Sequence, residues 1–143
     1  MEEFFKTDIL YDWTCDKHCK LPCKKELSLE RRNILILTIK RFQIHETKDN
    51  TRITFPLDGL DTRQFMYKSD KRQSKYRLVA VINHKGGSPN MGHYTLFMRF
   101  GEVAWYTYDD EIVKPMTASE VVTNDAYSLV YCLCDKHADL ITH

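Results

Sequence analysis

Residues 76–84 read Tyr-Arg-Leu-Val-Ala-Val-Ile-Asn-His, and two alternating runs, 94–100 and 103–108, follow with only Gly101-Glu102 between their ends. This succession constrains the fold more than any other feature of the chain. β-Branched and aromatic residues at period two favour strands, and a glycine-bearing pair between two such runs favours a hairpin. Two further runs have the same character. Residues 34–42, Ile-Leu-Ile-Leu-Thr-Ile-Lys-Arg-Phe, read as a buried strand with a charged end, and residues 127–134 as a final buried strand.

The intervening segments are less regular. Residues 52–55 form a short strand closed by Pro56, which cannot continue a ladder. Residues 58–75 mix Arg63, Lys68, Lys71, Arg72 and Lys75 with few apolar side chains, and read as a surface connection. Residues 85–92, Lys-Gly-Gly-Ser-Pro-Asn-Met-Gly, are dense in turn formers and read as a flexible loop. Thr117, with Glu120 three residues on, has the spacing of a capping box and predicts one short helix over 117–122. The expectation is a β-rich α+β domain of about six strands and one short helix.

Composition excludes several classes of function. The chain has 143 residues, 43% of them hydrophobic, enough to build a core without a disulfide framework. Lys and Arg number 21 against 20 Asp and Glu, so the charge balance predicts neither a nucleic acid nor a membrane surface as partner. No apolar stretch approaches the roughly 18 residues of a spanning helix, and the acidic start at Glu2 and Glu3 is unlike a secretory leader. Five cysteines, three of them at Cys15, Cys19 and Cys23, suit a reducing compartment. The expected location is cytoplasmic, nuclear or both.

The chemistry centres on His93. Gly92 precedes it and allows close approach of another chain or a positive φ. If the runs 94–99 and 103–108 pair around Gly101, Asp109 folds back to the level of His93. A carboxylate there can accept a bond from one imidazole nitrogen and leave the other for a nucleophile. Asp109, Asp110 and Glu111 are equally well read as the polar end of a strand. Cys15 and Cys19, with Cys23 or His18 beside them, have the spacing of half a zinc site. Four ligands within nine residues are cramped, so we read these as reduced thiols, with Cys15 and Cys19 the weak candidates for metal.

Taken together, the runs at 76–84, 92–95, 105–110 and 126–131 resemble the histidine box of the ubiquitin-specific proteases. Residues 36–42 resemble the strand that family carries as leucine-histidine-leucine-lysine-arginine-phenylalanine, and Phe55-Pro56 falls where it places a phenylalanine-proline step. Residues 13–24 resemble the end of the family's fingers subdomain. The resemblance implies a papain-like cysteine protease fold, of which this chain holds the palm and the base of the fingers, without the thumb. It divides the chain into a zinc-ribbon remnant (1–25), palm (26–134) and tail (135–143). It implies that His93 is the general base and Asp109 its orienting acid, with Asp110 the second candidate. It also implies a loop, 86–92, that closes over the ubiquitin C-terminal tail, with Gly87, Gly92 and Tyr94 as substrate-binding residues.

The departures from the family pattern matter as much. Its nucleophile lies in a cysteine box on an upstream helix, and no such segment occurs among these residues. One cysteine pair of the ribbon is missing, and Cys15 and Cys19 are separated by three residues where two are usual. The resemblance therefore implies no cofactor for the chemistry, with a structural zinc only weakly indicated. The leading expectation is part of a thiol-dependent deubiquitinase, with ubiquitin or ubiquitinated proteins as partners and the cysteine supplied by another segment or a separate chain. The rivals are an inactive ubiquitin-binding pseudoenzyme and a truncated fragment without a role.

Overall fold

A computed structural model describes residues 1–11, 22–42, 47–67, 74–88 and 90–134. The chain divides into two compact units, Met1–Arg31 with Thr62–Gln73, and Arg32–Asp61 with Ser74–His143.

In the first unit, β1 (Asp8–Leu10) pairs antiparallel with β2 (Cys23–Lys25). A single 3-10 turn, Arg63–Phe65, brings Phe65 onto Phe5, with ring centroids 4.7 Å apart, and Leu29 bridges to Met66. Phe65 and Met66 are both buried. The charged stretch expected to be a plain surface connection therefore contributes apolar anchors. Two adjacent apolar residues in a charged run carry no periodicity, so only packing reveals them.

The second unit holds β3 (Ile34–Thr38), β4 (Leu60–Asp61), β5 (Lys75–Ser88), β6 (Met91–Phe100), β7 (Ala104–Asp109), β8 (Ile112–Met116) and β9 (Ala126–Leu133). They form a seven-stranded sheet ordered β3-β9-β5-β6-β7-β8, with β4 added to the start of β5. Every pairing is antiparallel. The core gathers Tyr76, Leu78, Val81, Trp105, Val121, Leu129 and Tyr131. Tyr131 satisfies its buried hydroxyl by donating to the Pro56 carbonyl at 2.8 Å, and burial pushes that phenol upward.

Several expectations shift in instructive ways. The β3 strand is buried on one face only: Leu35 and Leu37 pack on the core, while Ile36 is 61% exposed. Residues 52–55 form no strand. The chain just after them is tied down at the Pro56 carbonyl by the Tyr131 hydroxyl and at the Leu57 carbonyl by Leu78 N–H at 2.8 Å, which a proline-bearing chain can accept without a ladder. β8 carries Pro115, yet among the described residues it pairs only with β7, and a proline is tolerated at such an edge.

The capping box forms as expected, with Thr117 N–H donating to Glu120 at 2.7 Å. Only one 3-10 turn, Ala118–Glu120, follows it, and the β-branched Val121, Val122 and Thr123 that come next are poor helix formers. Among the described residues helix is confined to such turns, and none is long and apolar enough to cross a membrane.

Candidate active site

Three neighbouring strands build the site. In the β5–β6 ladder Lys85 lies directly opposite His93, and Asn83 opposite Thr95. In the β6–β7 ladder Leu96 lies opposite Tyr108, so Asp109 leaves β7 beside the start of β6. Residues 110–111 then turn the chain into β8, where Ile112 pairs with Asp109. Asp110 takes a positive φ of 52° in that turn, a conformation open to aspartate at modest cost.

Imidazole and carboxylate meet there. His93 Nε2 lies 2.5 Å from Asp109 Oδ1, and Asp110 Oδ2 is 4.0 Å from the same nitrogen. A carboxylate can only accept, so Nε2 is the donor, and in the neutral form of the ring Nδ1 then keeps a lone pair. The His93 bond is the main cause holding the Asp109 carboxyl below its usual range, with desolvation opposing it and the charges of His93 and Lys85 adding to it. Of the two acids proposed from sequence, Asp109 makes the hydrogen bond, while Asp110 is 80% exposed in the turn. His93, Asp109 and Asp110 also offer ligand atoms within 4.8 Å of one another, but the short bond makes this a hydrogen-bonded dyad.

The segment expected to be a flexible loop is largely strand. β5 runs to Ser88, β6 begins at Met91, and the register shifts between Lys85 and Ser88. The glycines make this irregularity tolerable. A Cβ on Gly86 would lie 2.3 Å from the Met91 carbonyl oxygen, and one on Gly92 would lie 2.3 Å from His84 Nε2. Gly92 therefore serves close packing inside this hairpin, against the ring of His84, and no positive φ is required of it. Gly87 faces open space, and its carbonyl accepts from Lys48 N–H at 3.0 Å. Tyr94 is half exposed, its ring 4.8 Å from His84 and 6.2 Å from Tyr127.

Sequence reading missed the residues that fasten this hairpin. The Lys48 ammonium donates to the His84 carbonyl and to Asp125 at 2.8 Å, with its side chain 1% exposed. Arg41 is buried beside it and donates to the Ala126 carbonyl at 2.6 Å and the Asp49 carbonyl at 2.7 Å. Arg41 lies in the run 36–42, but no motif reveals its burial, and none singles out Lys48. Their signal is tertiary.

The two described thiols of the second unit lie elsewhere. Cys132 pairs with Arg77, and Cys134 N–H donates to the Lys75 carbonyl, both at the far end of β5 from Lys85. Arg77 and Lys85 are about eight residues apart, roughly 26 Å of extended chain. Cys15 and Cys19, the weak metal candidates, fall outside the described residues, as does the expected tail at 135–143.

Comparison with known proteins gives the family. The family described as ubiquitin carboxyl-terminal hydrolase matches residues 19–131. Human ubiquitin carboxyl-terminal hydrolase 2 is 38% identical over 140 residues, which cover 92% of this chain and 23% of the human protein. Ubiquitin carboxyl-terminal hydrolase 12 of Saccharomyces cerevisiae is 34% identical over 131 residues, covering 87% of this chain and 10% of the yeast protein. Among solved structures, Ubp8 in the SAGA DUB module with Sgf11, Sus1 and Sgf73, bound to monoubiquitin, superimposes with a TM-score of 0.79 at 26% identity. That match covers 94% of this chain and 31% of the other. The chain spans about a third or less of these relatives, and its fold is that of part of their catalytic domain. The chain therefore belongs to the ubiquitin carboxyl-terminal hydrolase family, among the ubiquitin-specific proteases.

Proposed function

We propose that these residues supply the general base and its orienting acid to a thiol-dependent deubiquitinase that cleaves the bond after the terminal glycine of ubiquitin. The observation that carries this reading is the 2.5 Å contact between His93 Nε2 and Asp109 Oδ1. It leaves Nδ1 to take the proton of a cysteine thiol. The thiolate attacks the scissile carbonyl, Nδ1–H returns the proton to the leaving lysine amine, and water then releases ubiquitin. Asp109 holds the ring throughout and stabilises the imidazolium. The nucleophile comes from outside residues 1–143, in a further segment or a partner chain, and no metal takes part. Ubiquitin is the partner, Gly87, Gly92 and Tyr94 line its path, and the reduced cysteines fit a cytoplasmic or nuclear setting.

A chimera tests this. This chain replaces the matching segment of the human relative, so that the cysteine-bearing remainder is present. The chimera is expected to hydrolyse a fluorogenic ubiquitin substrate, and His93→Gln to lower kcat/KM by roughly a thousandfold or more. A folded chimera with no activity would sink the reading. The isolated chain is expected to stay unlabelled by a ubiquitin C-terminal electrophile. Labelling would show that a nucleophile lies within it after all.

A further inference from the structure

We propose that Lys85 is a positioning residue of the dyad, holding the second oxygen of the Asp109 carboxylate so that the first is presented to His93. Its catalytic consequence rests on the reading above, while its primary test does not.

The register puts Lys85 in place. As the cross-strand partner of His93 it leaves the sheet on the same face. Its ammonium lies 3.6 Å from Asp109 Oδ2, while His93 Nε2 lies 2.5 Å from Oδ1. One carboxylate is thus engaged at both oxygens by side chains from two adjacent strands. A single contact fixes a distance. The Lys85 ammonium, beyond hydrogen-bond reach, draws Oδ2 to its own side by charge and so favours the carboxylate rotation that keeps Oδ1 toward the imidazole N–H.

This matters because a competing acid is close. Asp110 Oδ2 stands 4.0 Å from the same nitrogen. A carboxylate free to rotate at Asp109 would yield the ring to Asp110, which sits in the turn and offers no defined orientation. The groups facing Asp109 are His93 from β6, Lys85 from β5 and Asp110 from its own turn. Its partner on β8 is the uncharged Ile112. Lys85 is therefore the only cation among the described residues drawn to this carboxylate apart from the imidazole, and its charge contributes to holding the carboxyl down.

The Lys85 side chain is 52% exposed, which keeps the effect modest. The test is a carbon-detected NMR titration of the Asp109 carboxyl in the 143-residue chain. Lys85→Met is expected to raise its midpoint by roughly 0.2–0.5 of a pH unit, with Lys85→Arg close to wild type. The increment should persist when His93→Gln is also present, because the two contacts use different oxygens. Equal midpoints in wild type and K85M overturn the proposal.

A second arm uses the active chimera. There K85M is expected to lower kcat roughly two- to fivefold at constant KM. A raised KM at constant kcat would make Lys85 a substrate contact and overturn the positioning role. If the chimera is inactive, the catalytic reading falls and the carboxyl titration still decides on Lys85.

Discussion

Asp109 and Asp110 are neighbours of identical chemistry, and backbone geometry separates them. Asp109 is the last residue of β7 and inherits the direction of the strand. Asp110 occupies the turn with a φ of 52° and leaves its carboxylate at 4.0 Å from the ring. The consequence is visible in acid. Because its folded value is depressed, Asp109 contributes stability above the ordinary carboxyl value of 3.8, and the contribution is lost as pH falls through the lower folded value. The His93–Asp109 bond is therefore expected to survive at pH 4 and to break only on further acidification. The check is the downfield Nε2 proton of His93, followed against pH. Loss of that signal well above pH 4 would contradict the arrangement, and Asp109→Asn should abolish its acid transition while Asp110→Asn leaves it in place.

At the scale of elements, the β5–β6 hairpin carries His93 and Lys85, and much of it could be read in advance. Its two runs have period two, and its turn formers lie between them. Two properties could not be read. Glycines 86, 87 and 92 suggest a loose loop, yet two of them exist to let strands and the His84 ring approach, which a linear pattern cannot express. The second is the attachment through Lys48, whose ammonium binds one β5 carbonyl and Asp125 while its own N–H binds Gly87. Lys48→Met leaves a buried carbonyl and a part-exposed carboxylate without a donor. It is expected to destabilise the fold by about 1–3 kcal/mol in chemical denaturation, with Lys48→Arg recovering part of the loss. Hydrogen exchange should rise first in residues 84–93. A uniform rise across the sheet would argue against a local fastening.

For the molecule as a whole, the sheet of the second unit ends in two edges, β3 and β8, and they differ. β8 carries Pro115 and Lys114, which discourage further pairing. β3 presents Ile34 and Ile36, 49% and 61% exposed, on the face opposite Leu35 and Leu37. An apolar edge of this kind favours self-association. Ile36→Lys is expected to reduce concentration-dependent association in sedimentation, with the melting temperature changed by no more than a few degrees. Unchanged association would place the sticky surface elsewhere.

The chain alone determined that strands would dominate, where five of them lie, and that His93 follows a glycine at the mouth of a hairpin, because period, β-branching and turn chemistry are local properties. Tertiary structure decided which acid meets the imidazole, that Gly92 packs against His84, and that Lys48 and Lys85 attend the site. Those outcomes depend on register and on approach between residues far apart in sequence, and a one-residue slip in any ladder would have reassigned them all.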